Sequence, residues 1–519
     1  MKHLHKLLSS CLLIIFIACS SQEEPAEKGF APVISGLEET YSINAGEPLV
    51  LSPQVEHAAA ATYSWLVNEE EVSREATYTF LQTTPQTYPV VFKVTTEAGS
   101  AEQHIRVTVT PLDALQITAE TYQVISLNLS EVFPQQGEVK WKLIKGASDL
   151  HRLTPSGVLG PTFVAARAGK YHWQALCNGI TRDIVINVTE SPRKLSPYIA
   201  KVYDYLPAPG QFVNKLPAYT PGDTHEDMVR KANEWLVGEE AQMITLGGWG
   251  GYVVFGFDHT LINVEGKRDF RIRGNAFGAA VNGRPDAPFG GSCEPGIVMV
   301  AYDTNKNGLP DDEWYEIKGS SNFTAEKEPW YDFAIENKNN VSVYRDYSMT
   351  YYRPQKEEPD SHAEPDNPSA YISIRNYIRW KDNQQQEGYK VKNVYHAQSY
   401  YPQWIKQDEL TFTGIRLPDN GINEGKYNPG INQGNVYFVL YGFRYGYVDN
   451  SPNTDDNAAI DIDWAIDKEG NRAHLPGISF IKIYNGINQE NGWLGECSTE
   501  VERGEDLHML GKRIDTIKE

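Results

Sequence analysis

The chain has 519 residues, of which 40% are hydrophobic and 22% are charged. This composition excludes a wholly disordered chain, and the length suggests about three domains of roughly 150 residues each. The 47 basic and 68 acidic side chains give a formal net charge of −21, which argues against a nucleic-acid partner because phosphates bind basic surfaces. Thirty Tyr, 42 Gly and 30 Pro favour short strands and turns over helical bundles.

The N-terminal segment has the pattern of a signal peptide. Two lysines precede the apolar run at residues 12–18, which is too short to cross a bilayer. The sequence Ile17-Ala18-Cys19 resembles the lipobox of bacterial lipoproteins, and this resemblance implies cleavage before Cys19 and attachment of lipid to its thiol. We therefore expect a signal peptide at residues 1–18 and a lipidated tether at 19–29. An ordinary secretory signal is the alternative.

The tether carries an acidic stretch, SSQEEPAEK, at residues 20–28. Such a stretch after the lipidated cysteine resembles the surface-export signal of lipoproteins in gut Gram-negative anaerobes. The resemblance implies a lipid-anchored protein exposed at the surface of the outer membrane, and retention in the periplasm is the alternative. The rest of the sequence has no run of the roughly 20 apolar residues that a transmembrane helix needs, so we expect membrane contact only through the lipid.

Residues 30–111 have the alternating pattern of short strands separated by turns. Strands are expected at residues 63–67, 88–94 and 105–109, with a turn at 97–100. Their spacing is typical of an immunoglobulin-type (Ig-type) β-sandwich. The successive Tyr-x-Trp, Tyr-x-Val and Val-x-Val runs resemble those of PKD-like domains.

Residues 112–190 show a more diverged version of the same pattern. Its expected core strand lies at 139–143, and later strands are expected at 169–173 and 184–188. We therefore predict a second Ig-like domain. Modules of this kind usually act as spacers that hold a working domain away from the membrane.

Residues 191–519 are too long for another Ig unit and are predicted to form the C-terminal ligand-binding domain. Thr224 and Asp227 have the spacing of a capping box, which predicts a helix after them. The apolar residues on one face of this helix are Met228, Ala232, Trp235 and Leu236. The remainder predicts a large antiparallel β-sandwich of jelly-roll type, so we expect an all-β fold with minor helix.

The segment at residues 303–313, DTNKNGLPDDE, offers oxygen atoms at alternate positions. Calcium binds about 6–8 hard oxygen ligands, and Gly308 permits a sharp turn. The candidate ligands are Asp303, Asn305, Asn307, the Leu309 carbonyl, Asp311 and Asp312. Trp314 stands where an EF-hand has its bidentate Glu, so we expect a structural Ca²⁺ loop of another kind. An Asx-rich hairpin turn without an ion is the alternative.

A second acidic run lies at residues 449–467. Strand periodicity predicts that Asp461 and Asp463 share one face, with apolar residues on the other. Solvation of the surface, contact with a polar ligand and a second ion are all compatible with this pattern.

Aromatic and amide side chains recur in the C-terminal loops. Rigid rings with polar tips suit a large amphipathic ligand such as a sugar chain or a macrocycle, whereas the alternative is that they pack the core. The candidate ligand-binding residues are Trp249, Tyr400, Tyr401, Trp404, Tyr445, Tyr447, Asp449, Asn450 and Trp493.

Catalytic templates are mostly missing from the sequence. It contains no HExxH, GxSxG or phosphate-binding loop motif, so we do not predict an enzyme. His259 follows Asp258, but neighbours in a strand point to opposite faces, which weakens a paired role. Asp506, His508 and Gly511 spell DxHxxG, by which some corrinoid enzymes bind cobalt. The doubly wound domain that should follow has no room, and we interpret the match as chance.

Seven segments of the C-terminal region together resemble a family of surface lipoproteins of gut Gram-negative anaerobes, known as cell surface or PKD-like proteins. They are residues 247–264, 270–277, 293–320, 399–405, 445–450, 459–467 and 492–508. Some members are similar to vitamin B12-capturing lipoproteins that work beside outer-membrane transporters. The resemblance implies capture of cobalamin or a related corrinoid for a TonB-dependent transporter. A glycan-binding surface lipoprotein or a glycoside hydrolase accessory protein is the alternative.

Cys293 and Cys497 depart from this family, in which small or apolar residues are expected. Both lie in turn-rich segments of one domain. A disulfide between them and two buried free thiols are equally compatible with the sequence.

Overall fold

The computed structural model describes residues 29–134, 136–281, 283–359, 371–428, 430–431 and 436–517. The predicted signal peptide, the lipidation site at Cys19 and the acidic stretch lie outside the described residues. Strands account for 44% of the chain and helices for 8%, which confirms the all-β prediction. Within the described part, none of the helices is long and apolar enough to cross a membrane. The chain divides into two compact units, Met1–Leu112 and Asp113–Glu519.

The first unit is a sandwich of short strands. They are β1 (Val33–Ser35), β2 (Thr40–Asn44), β3 (Leu49–Leu51), β4 (Gln54–Glu56), β5 (Thr62–Val67), β6 (Glu70–Ser73), β7 (Tyr78–Phe80), β8 (Thr87–Thr96) and β9 (Gly99–Thr110). One sheet has the order β2-β9-β8-β5-β6, with β2 parallel to β9, and β3 pairs with β7. Trp65 and Phe92 are fully buried, with ring centroids 4.4 Å apart. The three strands predicted here are therefore confirmed as β5, β8 and β9.

The second unit begins with another small sandwich. Its elements are β10 (Leu115–Glu120), β11 (Ile125–Ser126), α1 (Leu129–Val132), β12 (Lys140–Lys145), β13 (His151–Thr154), β14 (Thr162–Ala165), β15 (Gly169–Cys177) and β16 (Ile180–Thr189). The sheets have the orders β10-β16-β15-β12 and β11-β14-β13. The prediction of a core strand at 139–143 is wrong, because β12 is an edge strand whose side chains are largely exposed, while β14 is buried throughout.

The remainder of this unit begins with β17 (Lys201–Ala208), α2 (His225–Leu236), β18 (Ile244–Thr245), β19 (Gly248–Ile262), β20 (Lys267–Arg268), β21 (Phe270–Arg273), β22 (Phe277–Gly278), β23 (Gly290–Ser292), β24 (Gly296–Ala301), β25 (Trp314–Ile317), α3 (Tyr331–Asn337), β26 (Tyr344–Tyr352), β27 (Ile372–Asp382) and β28 (Glu387–Asn393). It continues with β29 (Glu409–Arg416), β30 (Gly421–Asn423), β31 (Phe438–Tyr441), β32 (Ala459–Ile460), β33 (Ala465–Ile466), β34 (Gly477–Asn485), β35 (Glu500–Val501), β36 (Arg503–Asp506) and β37 (Ile514–Asp515). Short 3₁₀ helices occupy Glu424–Lys426, Asp456–Ala458, Ile462–Trp464 and Gly492–Leu494.

The main sheet of this region has the order β17-β19-β34-β24-β25-β33, with every pair antiparallel. Its central strands are almost continuously apolar and buried, as in Val253, Phe255, Ile481 and Ile483. A separate antiparallel sheet has the order β28-β27-β26-β29. These sheets hold the loops that form the candidate sites at fixed positions.

The predicted capping box and helix are confirmed in α2. The Thr224 hydroxyl accepts a hydrogen bond from Asp227 N, and the Asp227 carboxylate accepts one from Thr224 N. Three of the predicted apolar residues, Met228, Ala232 and Leu236, are fully buried against the main sheet, and Trp235 is half-buried.

The sandwich at 115–189 packs against the C-terminal region instead of standing apart from it. Val164 and Leu150 share one apolar cluster with Ile262 and Val264. At Gly157 an added Cβ would lie 2.5 Å from a backbone oxygen of the C-terminal region, which only glycine tolerates. Arg152 Nη2 donates to Asp463 Oδ1 at 2.7 Å, so apolar, backbone and ionic contacts all join the two parts.

The prediction that Asp461 and Asp463 share one strand face is wrong. Ile462–Trp464 is a 3₁₀ helix, and Asp461 is its N-cap residue, accepting a hydrogen bond from Asp463 N at 2.7 Å. Burial, followed by the charge of Asp269, raises the pKa of Asp461 to about 7. The acidic run is therefore partly a buried structural element and not a solvated strand.

Candidate functional site

The nine residues predicted to bind a ligand do not form one open surface. Seven of them are less than 9% exposed, whereas Tyr445 is half-buried and Trp493 is 45% exposed. The buried seven are Trp249, Tyr400, Tyr401, Trp404, Tyr447, Asp449 and Asn450.

Internal partners satisfy several of these buried polar side chains, whereas Trp404 Nε1 is buried without a hydrogen-bond partner in the described structure. Trp249 Nε1 donates to the Ile415 carbonyl at 3.0 Å, and the Tyr400 hydroxyl accepts from Asn393 N at 2.9 Å. Asn450 Oδ1 accepts a hydrogen bond from Phe443 N at 2.8 Å, and Asn450 Nδ2 donates one to the Phe443 carbonyl at 2.7 Å. A ring whose polar tip finds a backbone partner can be buried with little loss of hydrogen bonding.

An open cleft lies beside Tyr445, and we call it the Tyr445 cleft. Its volume is about 600 Å³. Its lining includes Lys318, Ser320, Phe323, Lys327, Arg444 and Tyr445. Tyr445 is thus a predicted binding residue that the fold places at an accessible cavity.

Two loops meet tightly to form this cleft. Ser320 N donates to the Tyr445 carbonyl at 3.0 Å, and Arg444 N donates to Glu328 Oε2 at 3.1 Å. Gly446 has φ of 88°, and a Cβ there would lie 2.4 Å from Gly319 Cα. The positive φ and this close approach both require glycine, so the cleft walls are held before any ligand arrives.

The Tyr445 cleft is cationic. Within the described residues, neither Lys318 nor Lys327 forms an ion pair. The Arg444 guanidinium approaches the buried Glu328 only at 3.7 Å, between Nε and Oε1. The sequence predictions did not include these basic residues, because the acidic composition favoured carboxylates as candidate ligands.

The predicted calcium loop brings four of its candidate ligands together. Asp303 accepts from Asn307 N at 3.1 Å and from Gly308 N at 2.9 Å. The side-chain amides of Asn305 and Asn307 donate to Asp311 at 3.1 and 2.9 Å. Asn305 Oδ1 and Asn307 Oδ1 accept hydrogen bonds from the backbone nitrogens of Asn307 and Leu309 at 2.9 and 2.7 Å, so these side chains hold one another in a tight turn.

The other two predicted calcium ligands are placed differently. Asp312 accepts a hydrogen bond from Thr304 N at 3.1 Å, and its Oδ2 is buried without a partner in the described structure. Leu309 has its side chain 48% exposed and its backbone nitrogen bound to Asn307 Oδ1 at 2.7 Å. The oxygen-rich set fits a hard cation such as Ca²⁺.

Glu294, Asp449 and Glu500 form a buried carboxyl cluster, with ligand oxygens within 4.8 Å of one another. Each carboxylate accepts protein hydrogen bonds: Glu294 from Ser498 N, Asp449 from Glu500 N, and Glu500 from the Ser498 hydroxyl, all within 2.9 Å. Burial, and then the charge of Asp449, raises the pKa of Glu294 to about 8. Burial raises the pKa of Asp449 to about 7, so this cluster retains protons near neutral pH.

His259 and Asp258 do pair, contrary to the expectation from strand alternation. The register of β19 shifts between Gly256 and Leu261, and His259 Nδ1 lies 2.8 Å from Asp258 Oδ1. Its Nε2 lies 2.8 Å from Asp506 Oδ2. Burial lowers the pKa of His259, but the hydrogen bonds and charges of the two carboxylates outweigh it, so the pKa is raised overall. Asp258 and His259 also line a cavity of about 550 Å³ together with Tyr122 and Phe257.

The DxHxxG residues are also taken up by internal pairs. His508 Nε2 lies 2.8 Å from Asp269 Oδ1, and His508 is 2% exposed. Asp506 is the partner of His259. These residues make contacts within the core, and the interpretation of the motif as a chance match stays a prediction.

Comparison with known families assigns a class to one part of the chain. Residues 32–96 match the PKD-like domain family. The chain therefore contains a PKD-like domain of Ig-like structure in its first unit. No curated protein sequence matches the chain.

Solved structures resemble only parts of the chain. A quinonprotein alcohol dehydrogenase-like protein from Bacteroides thetaiotaomicron is 27% identical over 14% of this chain and 18% of its own, with a TM-score of 0.14. The titin I-band fragment I67–I69 is 12% identical over 31% of this chain and 65% of its own, with a TM-score of 0.15. Sidekick-1 immunoglobulin domains 1–5 are 18% identical over 34% of this chain and 43% of their own, with a TM-score of 0.14. The chain thus spans less than two thirds of each of these proteins.

Proposed function

We propose that this chain is a lipid-anchored, non-enzymatic binding protein of the cell surface. Its C-terminal region captures a large amphipathic small molecule, cobalamin or a related corrinoid, for a TonB-dependent outer-membrane transporter. The observation that carries the proposal is the Tyr445 cleft, an open cavity bordered by a predicted binding residue. The resemblance of the segments around it to B12-capturing surface lipoproteins supports the choice of ligand.

The size and rigidity of the cleft support a binding role. Its volume of about 600 Å³ falls within the range of roughly 300–1,000 Å³ that is usual for small-molecule sites. Its two loops are fixed by backbone hydrogen bonds and by the contact of Gly446 with Gly319. Preformed walls reduce the entropy that a ligand must lose on binding.

Calorimetry with cyanocobalamin and the full chain tests the ligand. We expect one site per chain, quenching of Trp fluorescence, and an affinity at least tenfold weaker in Tyr445→Ala. Tyr389→Ala is the matched control, because Tyr389 is 45% exposed in β28 and does not line the cleft. The absence of heat and quenching at high micromolar ligand with the natural sequence would refute corrinoid capture.

Glycan binding is the second candidate, and two exposed rings favour it. Tyr395 is 69% exposed and Trp493 is 45% exposed. Asn393 joins their loops, because its Nδ2 donates to the Trp493 carbonyl at 2.8 Å and its Oδ1 accepts from Tyr395 N at 2.9 Å. Retention on polysaccharide gels that is lost in Tyr395→Ala or Trp493→Ala, but kept in Tyr445→Ala, would favour this function over corrinoid capture.

The lipid anchor at Cys19 is part of the same proposal. Cys19→Ser is expected to release the protein from the outer membrane and to prevent incorporation of labelled fatty acid. Digestion of the natural protein by protease added to intact cells would distinguish the cell surface from the periplasm. Lipid incorporation that is unchanged in Cys19→Ser would exclude the anchor.

We also propose a structural Ca²⁺ in the loop at 303–312. The convergence of Asp303, Asn305, Asn307 and Asp311 supports it. Calcium should raise the melting temperature of the natural chain and of Asp346→Ala, an exposed control, but not of Asp303→Ala. Equal melting of the natural chain with and without the ion would refute the proposal.

A further inference from the structure

We propose that the Tyr445 cleft recognises an anionic group, a phosphate or a sulfate, carried by an organic ligand such as a sugar. The inference rests on the proposed function, because it names the chemistry of the ligand at the same cleft. It goes beyond that function by requiring a formal negative charge next to an apolar or ring-shaped body.

Positive charge is concentrated at this cleft in a chain whose formal net charge is −21. Lys318, Lys327 and Arg444 line it, and Glu328 is the carboxylate beside them. Three positive charges and one negative charge leave +3 − 1 = +2. A protein with a large negative net charge repels anions in general. A local excess of positive charge therefore makes the cleft a favoured position for an anion.

Glu328, the carboxylate beside these cations, already accepts hydrogen bonds from other residues of the protein. Glu328 Oε1 accepts from the Ser321 hydroxyl at 2.9 Å, and Oε2 accepts from Arg444 N at 3.1 Å. Glu328 is 3% exposed, so it fixes the loop from below and does not face the cavity. It cannot neutralise the two lysines, which form no ion pair in the described part of the chain.

Arg444 retains capacity to bind an oxyanion. Its Nε is buried and faces Glu328 Oε1 at 3.7 Å. Its Nη2 makes only a long contact of 3.4 Å with the Ser320 carbonyl. A guanidinium presents several donors in one plane, which match two oxygens of a phosphate or sulfate. The flanking lysines add compact charges that suit the same group.

The aromatic walls indicate that the ligand has more than an inorganic ion. Phe323 is 52% exposed, and its ring is held by Arg345, whose guanidinium carbon lies 4.6 Å from the ring centroid. Tyr445 forms the other ring of the cleft, 5.3 Å from Trp464 between ring centroids. Two aromatic rings and several cations that line the same cleft suit an organic body that stacks on a ring while its anionic group contacts the lysines.

Calorimetry on the full chain tests the inference with four probes: glucose 6-phosphate, glucose 6-sulfate, glucose and inorganic phosphate. We expect the two charged sugars to bind, glucose to give no heat, and inorganic phosphate to bind at least tenfold more weakly than glucose 6-phosphate. Raising the salt concentration should weaken binding of both charged sugars. Equal binding of glucose and glucose 6-phosphate would overturn the inference, and so would equal binding of inorganic phosphate and glucose 6-phosphate.

Charge-removing variants locate the site. Lys318→Gln with Lys327→Gln should weaken glucose 6-phosphate at least tenfold, while Lys140→Gln, an exposed control outside the cleft, should leave it unchanged. Within the described residues, neither lysine side chain makes a hydrogen bond or an ion pair, and an unchanged melting temperature checks that the double variant folds. Unchanged affinity in the double variant would overturn the inference.

The two proposals fail in different ways. If cyanocobalamin binds and every anionic probe is silent, the anion inference is overturned and the proposed function stands. If the charged sugars bind in a manner that depends on Lys318 and Lys327 while cyanocobalamin is silent, the anion site is supported and corrinoid capture is refuted.

Discussion

Three carboxyl groups are buried together at Glu294, Asp449 and Glu500. Burial raises the pKa of each, and the charges of the other two members raise the pKa of Glu500 further. In the unfolded chain these carboxyl groups lose their protons near the ordinary carboxyl pKa. In the folded chain they keep them to higher pH, because their pKa values are raised. Stability from these groups is complete at low pH and declines as pH rises through about 7 and 8.

Glu294→Gln mimics the protonated acid and should flatten this dependence. We expect the loss of unfolding free energy between pH 6 and pH 9 to shrink by about 1 kcal/mol or more, because one pKa unit corresponds to about 1.4 kcal/mol. Chemical denaturation at several pH values measures it. Glu409→Gln, at an exposed position, should leave the pH dependence as it is. A parallel shift of the natural and Glu294→Gln curves would contradict the expectation.

Single residues were the hardest features to predict from sequence. Tyr445, which was predicted to bind a ligand, lies at a cavity, but Trp249 and Tyr400, chosen for the same chemistry, are buried. A tyrosine that hydrogen-bonds a backbone group inside the core has the same local sequence signature as one that binds a ligand. The difference depends on partners distant in the chain, such as Ile415 for Trp249, which a local pattern does not contain.

At the scale of elements, α2 depends on its N-terminal cap. Thr224→Ala removes the hydroxyl oxygen that accepts a hydrogen bond from Asp227 N. This N–H group of the first helical turn then has only water as a partner. We expect a loss of about 1 kcal/mol in unfolding free energy, measured by denaturant titration. Thr224→Ser keeps the hydroxyl and should retain most of the stability. If the Ala and Ser variants are equally stable, the cap does not contribute.

Elements with local signals were predicted well, and those set by tertiary contacts were not. The capping box and the strands β5, β8 and β9 follow from residues close together in sequence. The segment containing Asp461 also alternates like a strand, yet Thr516 and Asp463 bond its carboxylate and a 3₁₀ helix forms. Alternation predicts which side chains are apolar, but it does not specify a turn imposed by a distant partner.

At the scale of the whole molecule, the sandwich at 115–189 is part of the second unit. Its apolar contact with Ile262 and Val264, and the ion pair of Arg152 with Asp463, cover a face of the C-terminal region. The sequence indicated an Ig-like domain here but not its packing, because the contact residues look like ordinary strand residues. Its role therefore includes support of the C-terminal region.

Removing this sandwich should destabilise what remains. We expect fragment 191–519 to melt at a lower temperature than fragment 113–519 and to aggregate at lower concentration, because Ile262 and Val264 become exposed to water. Scanning calorimetry and size-exclusion chromatography of the two fragments compare them directly. Identical melting would show that the sandwich is only a spacer.

Cys293 and Cys497 are not joined by a disulfide, and each is at most 1% exposed. Burial raises the pKa of both thiols above the ordinary value, so a thiol reagent reaches a reactive thiolate only when the surrounding structure opens. Maturation of this region then needs no oxidant, and a reducing agent should not change its stability. The rate at which iodoacetamide alkylates Cys293 and Cys497 would report how often the core opens. Rapid alkylation of these two thiols in the native chain would contradict their burial.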